Sequence, residues 1–272
     1  MTLEVTDDAA AIIALVEPLL AADPVRNTVL GSVIEALRND GAAGWCAHPA
    51  GAADILAVRS DRPYPVVVAG PWESVDLAEL APLVSALPAV AGLTGLAAVV
   101  DALAAAVAAL GVYAERGRQG IRLFRLDHLT EPSGVIGGPR RATVADLALL
   151  LDWYRAFAKE VDHGEAGVER AVDAALASDS PWLWLDDGGA PVSLANRRAP
   201  AAGSSRIGPV YTPPAERGRG YGSAVTAAAT RDSLDDGATP VLFTDRANPT
   251  SNKIYARLGY YPVEDRLAVR FS

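Results

Sequence analysis

Apolar residues recur along the chain at two spacings, and the spacing changes at glycines and prolines. A helical spacing covers DDAAAIIALVEPLLAA and PVRNTVLGSVIEALRNDG, the second opened by Pro24 and closed by Gly41. Short apolar runs follow in GWCAHP, DILAVRS and YPVVVAG, then a helical SVDLAELAPLVSAL. AVAGLTGLAAVVDALAAAVAALG predicts a buried strand leading into a core helix, and VYAERGRQGIRLFRLDHL a strand pair. TEPSGVIGGPRRAT, rich in Pro and Gly, predicts a boundary. The second half repeats the order. Thr143 and Asp146 form a capping-box-like start, with Val144, Leu147, Leu151, Tyr154 and Ala158 on one predicted face. GVERAVDAALAS predicts a further helix, PWLWLDD and PVSLANRR a hairpin around DGGA, and SSRIGPVYT the next strand. A helix ending at Gly237, the strand PVLFTDR, the helix NPTSNKIYARLG and a last strand RLAVRFS complete it. The order of elements is duplicated, though the residues are not.

One feature breaks the duplication. Between SSRIGPVYT and its helix lies PPAERGRGYGS, with Gly218, Gly220 and Gly222 on alternate positions; the first half has AGPWES there. Glycine lets backbone approach a ligand, and the first amides of a helix lack internal partners at its positive end. Together they make an anion site, most often for phosphate. A nucleotide P-loop is excluded because no Lys-Ser/Thr follows the glycines, and a dinucleotide fingerprint because Ser223 stands at its third glycine. A short GxG also fits a plain tight turn. Pro209 lies inside an otherwise good strand and removes a ladder donor. A strand that stops pairing there would splay from PVLFTDR, leaving amides of Val210 and Tyr211 for an extended ligand; an edge strand is the alternative.

Composition narrows the classes. The chain has 272 residues, 50% hydrophobic and 21% charged, with a formal net charge of −9. That balance argues against coating nucleic acid or an anionic membrane, and weakly favours a cationic substrate. The alanine-rich stretch carries Asp101 mid-span, which disfavours a membrane helix. The acidic start MTLEVTDDAA is unlike a signal peptide, so a cytoplasmic protein is expected. Cys46 is the only cysteine and reads as a small core residue; His48, His128 and His163 are too scattered for a metal site. Lysine occurs only at Lys159 and Lys253, a bias of GC-rich, bacterial coding.

ERGRGYGSAV resembles the R/Q-x-x-G-x-G/A signature of the GNAT superfamily of acyl-CoA-dependent N-acyltransferases, with Arg217, Gly220 and Gly222 on the fixed positions. NPTSNKIYARLGYYPV is similar to the second signature of that family, through Asn248, Ser251, Tyr255, Leu258, Gly259 and Tyr260. The resemblance covers roughly residues 140–272; the first half shares only the element order. It implies an α/β chain (α+β, mixed-sheet GNAT fold) of two tandem GNAT-like domains, a degenerate one at 1–135 and a catalytic one at 136–272. It implies acetyl-CoA as cofactor, without metal. Its pyrophosphate would lie on Thr212, Arg217, Gly218, Arg219, Gly220, Tyr221, Gly222 and Ser223, its pantetheine arm along Val210, Tyr211, Asn248 and Ser251. Asn248, Pro249 and Gly259 also read simply as N-cap, N1 and C′ of a helix.

The implied reaction is direct attack of a primary amine on the thioester, with Tyr255 as general acid toward the departing thiolate. Glu160, Asp162, His163, Glu165 and Asp245 are candidate bases, a water is another, and the sequence does not choose. Trp182, Trp184 and Trp153 would pack a core or line an acceptor pocket. The expected partner is a small-molecule or peptide amine; a homodimer is compatible with the chain. The alternative function is a non-catalytic acyl-CoA-binding sensor or scaffold.

Overall fold

The computed structural model describes residues 2–39, 43–52, 54–60, 64–161 and 167–272. The first series of elements is β1 (Leu3–Thr6), α1 (Ala9–Ala22), α2 (Thr28–Asn39), β2 (Gly44–Pro49), β3 (Leu56–Ser60), β4 (Val66–Ala69), α3 (Ser74–Ala86), β5 (Gly92–Leu96), α4 (Ala97–Ala109) and β6 (Glu115–Leu126). The second is β7 (Gly138–Arg141), α5 (Leu147–Glu160), α6 (Val168–Ala177), β8 (Pro181–Leu185), β9 (Pro191–Arg197), β10 (Ser204–Tyr211), α7 (Tyr221–Asp235), β11 (Thr239–Asp245), α8 (Pro249–Arg257) and β12 (Tyr260–Phe271). The types repeat in the same order, so the duplication read from the sequence holds, but each series opens with a strand, β1 or β7, that the sequence pattern does not predict. Gly41, the expected end of α2, lies outside the described residues.

Contacts divide the chain into two units. One comprises Met1–Leu123, Thr244–Ala247 and Pro262–Ser272; the other comprises Phe124–Phe243 and Asn248–Tyr261. In the first unit β1 to β4 pair antiparallel in chain order, β4 and β5 pair parallel, and β12 closes antiparallel on β5 through Arg266↔Leu96 to Arg270↔Gly92. Leu80 and Val84 of α3 and Val100, Leu103 and Val107 of α4 pack on Val66, Val68 and Leu93. The alanine-rich stretch is thus a strand and a core helix. Of the α4 alanines only Ala104 is buried, and each fully buried Leu or Val contributes about 1.5–3 kcal/mol.

In the second unit β7, β8, β9 and β10 pair antiparallel in chain order and β10 pairs parallel with β11. Side chains alternate across the strands. Ala195, Ile207 and Leu242 meet Val225 of α7 and Tyr255 of α8. Leu183 and Leu194 meet Leu150 and Tyr154 of α5 and Val172 of α6.

Four expectations about elements need correction. β6 is one strand of 12 residues rather than a pair. Its glycines make room instead of a turn: a Cβ at Gly117 would stand 2.8 Å from Arg270 Nη2, and one at Gly120 3.3 Å from Arg246 Cδ. The boundary segment contains β7, and the last strand begins at Tyr260. The buried face of α5 carries Leu150, Tyr154 and Ala158, while Val144 and Leu147 are exposed. Residues 144–146 form a 3₁₀ turn, held by a capping box of Thr143 and Asp146, and the tighter turn shifts the phase of the pattern.

Candidate active site

The site is built where β10 leaves β11. The two strands pair from Ser204↔Thr239 to Ile207↔Leu242 and no further. Beyond a register shift at Gly208 and Pro209, β10 keeps only β9, through Val210↔Ala195 and Tyr211↔Leu194. Pro209 therefore does what its position in the sequence predicts: parallel pairing with β11 ends there. Ser193 of β9 braces the free end. Its hydroxyl donates to the Tyr211 carbonyl at 3.1 Å and lies 2.8 Å from Thr212 Oγ1. Nothing in the sequence marks Ser193, because its partners are 18 and 19 residues away.

The chain then passes through the glycine loop into α7. Gly218 and Gly220 sit at φ +81° and +85°, where a side chain is strained. Gly222 serves differently: it is helical, and a Cβ there would stand 3.2 Å from Thr212 Oγ1. Gly220 is the N-cap residue of α7 and no side chain caps the helix; the first turn closes with Ala224 N–H donating to Gly220 O at 3.0 Å. The amides of Tyr221, Gly222 and Ser223 thus precede the helical ladder, beside an exposed loop. Backbone donors left free in this way at a helix N-terminus can receive an anion. The chain's own side chains frame the loop. Arg217 donates to the Thr212 carbonyl at 2.9 Å and to Glu160 at 2.5 Å, with its guanidinium 6.0 Å from the Tyr211 ring centroid. Arg219 donates to Glu216 at 3.0 Å.

α8 supplies the third component. Asn248 Oδ1 accepts from the amides of Thr250 at 3.1 Å and Ser251 at 3.0 Å, so the N-cap reading holds, with Pro249 at N1. Gly259, at φ +97°, closes the helix against the His128 carbonyl. Tyr255, two turns in, is 9% exposed and lies in the apolar cluster onto which Val210 packs. Its ring sits 6.4 Å from Phe124 and 6.2 Å from Tyr260, centroid to centroid. The two tyrosines differ in one respect. Tyr260 Oη is bonded to Thr230 Oγ1 at 2.7 Å, whereas Tyr255 Oη has no hydrogen bond to any described residue. Burial pushes the Tyr255 phenol up to about 12, so it holds its proton throughout the neutral range. Phe124, like Ser193, comes to the site by long-range pairing that no local pattern announces.

The remaining candidates have partners of their own or lie outside the described residues. Glu160 is the ion-pair partner of Arg217, and Asp245 accepts from Gln119 at 2.9 Å and the Ala247 amide at 2.7 Å. Asp162, His163 and Glu165 lie outside the described residues. Trp182 donates to Asp232 at 3.3 Å beneath Arg141, and Trp184 to the Ile136 carbonyl at 3.0 Å; Trp153 tilts against Tyr211 at 6.0 Å. Cys46 is fully buried, its thiol pushed up to about 12 by burial.

Among the described residues the first unit has no counterpart of this glycine loop. Trp72 donates to the Ala69 carbonyl at 3.0 Å and fills the space after β4, and Gly70 packs against Asp54 backbone. α3 opens with Glu73 at its N-cap and buried Asp76 in its first turn. Carboxylates occupy the helix end that a phosphate would need.

Comparison with known proteins agrees with this division. Residues 188–269, which include the glycine loop and α8, match the family model described as FR47-like protein. No curated protein matches the chain by sequence. Among solved structures, an acetyltransferase of the GNAT family from Colwellia psychrerythraea is 12% identical, with all of both chains covered and a TM-score of 0.65. A GCN5-related N-acetyltransferase from Sphaerobacter thermophilus is 16% identical, covering 99% of this chain and 95% of its own, at 0.64. A tandem GNAT protein from the clavulanic acid biosynthesis pathway is 13% identical, covering 100% and 98%, at 0.58. The chain shares the fold of these GNAT proteins, with the order of elements given twice and the glycine loop in the second series.

Proposed function

We propose that the second unit binds acetyl-CoA and transfers its acetyl group to a primary amine by direct attack, with no covalent enzyme intermediate. The observation that carries this reading is the convergence of three features: a β10 edge released from β11 after Ile207, an uncapped α7 behind glycines, and an unbonded Tyr255 hydroxyl in the cluster that Val210 joins. The residues fit the cofactor. The amides of Tyr221, Gly222 and Ser223, with the loop Arg217–Gly220, would receive the pyrophosphate. Val210 and Tyr211, with Asn248 and Ser251 at the head of α8, would hold the pantetheine arm. When bound, acetyl-CoA supplies an activated thioester carbonyl. The protein orients it against the amine, which alone is a large part of catalysis. Tyr255 holds a proton at Oη and offers it toward the sulfur as negative charge gathers there. No side chain is assigned as base, because Glu160 and Asp245 are already committed and Asp162, His163 and Glu165 lie outside the described residues. Water can carry the proton.

A second reading, acyl-CoA binding without transfer, draws on the burial of Tyr255 and on the Arg217–Glu160 pair beside the loop. An acetyl-CoA consumption assay against a panel of amines, antibiotics and peptides separates the two. Amine-dependent thiol release supports the transferase; binding with no release on any acceptor supports the sensor.

A further inference from the structure

The first unit has no counterpart of the glycine loop among the described residues, but it has a cavity near the same point in its order of elements. A cavity of about 290 Å³ lies at the C-terminal ends of the parallel strands β4 and β5, lined there by Ala69, Gly70, Pro71 and Leu96. In the order of elements this is the counterpart of the place where β10 leaves β11, and the ends of parallel strands are where open α/β sheets bind ligands. The remaining wall is polar, with the neutral Asn27 beside the charged Asp23 and Arg26 in the α1–α2 connection, the charged Asp54, and Glu264 and Arg266 of β12.

The two cations of that wall are spoken for. Arg26 pairs with Asp23 at 2.7 Å and lies 3.4 Å from Glu264; Arg266, 5% exposed, pairs with Glu264 at 3.1 Å and donates to the Arg26 carbonyl at 2.8 Å. Asp23 and Glu264 neutralise them. Asp54 remains as a carboxylate in excess, with no partner among the described residues. An apolar wall of Ala69, Pro71 and Leu96 facing a net negative rim suits an alkyl chain that ends in an ammonium group. It does not suit a phosphate, which would meet Asp76 and Glu73 at the head of α3.

We infer that the first unit is a second small-molecule site, for a small organic cation whose ammonium group pairs with Asp54. Burial raises the Glu264 carboxyl against the pull of Arg266 and Arg26, so it too gains from an added cation. This inference does not rest on the acyl-transfer reading.

The test is calorimetric titration of the full chain with 1,4-diaminobutane, using the wild type, Asp54→Asn and Gly220→Val. Asp54 is exposed, so its substitution leaves the fold alone. The expected result is saturable binding in the wild type, weakened about tenfold or more in Asp54→Asn and unchanged in Gly220→Val. Absence of saturable binding, or equal binding by Asp54→Asn and wild type, overturns the inference. Binding lost in Gly220→Val but kept in Asp54→Asn would put the diamine in the second unit, overturning the inference while leaving acyl transfer untouched. Inorganic phosphate that binds the wild type and fails to bind Arg26→Ala would make the cavity an anion site, and would also overturn it.

Discussion

Replacing Tyr255 by Phe removes one oxygen and tests what that oxygen does. The ring keeps its neighbours Phe124 and Tyr260 and its place in the cluster with Val225 and Leu242. No protein hydrogen bond is lost, because the hydroxyl makes none with the described residues. Stability should therefore change by no more than about 0.5 kcal/mol. The effect on chemistry is of another size. The phenol, pushed up to about 12, lies about 3.5 units above an ordinary thiol near 8.5, so outright transfer to a free thiolate would be uphill by about 5 kcal/mol. The hydroxyl acts instead by a hydrogen bond that strengthens as charge develops on sulfur. Its removal should lower kcat by about 10²–10⁴ while acetyl-CoA affinity stays within a few-fold. A phenol that keeps its proton gives no alkaline limb of its own between pH 6 and about 10. The assay is amine-dependent thiol release across that range, beside calorimetric titration and thermal melting. Wild-type turnover in Tyr255→Phe would refute the argument. So would loss of stability and affinity together, which would make Tyr255 a packing residue.

Two further predictions concern single groups. The Arg140 guanidinium and the Thr143 amide hold the Asp146 carboxyl down at about 2, against an ordinary 3.8. A depressed folded value contributes stability above the unfolded value and loses it on acidification. Asp146→Asn should therefore lower stability by about 2 kcal/mol at pH 7, and the deficit should close between about pH 4 and pH 2; a deficit independent of pH in urea titrations would contradict this. Cys46, buried and pushed up to about 12, should ignore a thiol reagent at pH 8 in the native protein and react once per chain in denaturant; rapid native labelling would contradict its burial.

The sequence announces what is local. Gly218 and Gly220 before α7, Pro209 inside β10, the Asn248 cap and the Thr143–Asp146 box are each written within a few residues, and each stands in the structure as its spacing predicts, whereas Gly222, which the spacing also puts before the helix, is the second residue of α7. What depends on distant partners does not show. Gly117 and Gly120 look like a turn because the arginines they accommodate, Arg270 and Arg246, lie far along the chain. The pairing of β12 with β5 joins Arg266 to Leu96, so the membership of the last strand is settled by tertiary register alone. Ser193 and Phe124 reach the site the same way. The face of α5 was misplaced for a local reason of another kind: a 3₁₀ turn and an α-helix share apolar residues but not a period.

Titration of acetyl-CoA into the wild type and Gly220→Val bears most directly on the claim that one cofactor site exists, in the second unit. Valine at φ +85°, with its Cβ 3.0 Å from Val135 Cγ2, should cost about 1–3 kcal/mol of loop strain, within the margin of a folded domain. The account predicts one site per wild-type chain and none in a Gly220→Val protein that still melts cooperatively. Two equivalent sites in the wild type, or wild-type affinity in the folded variant, would contradict it.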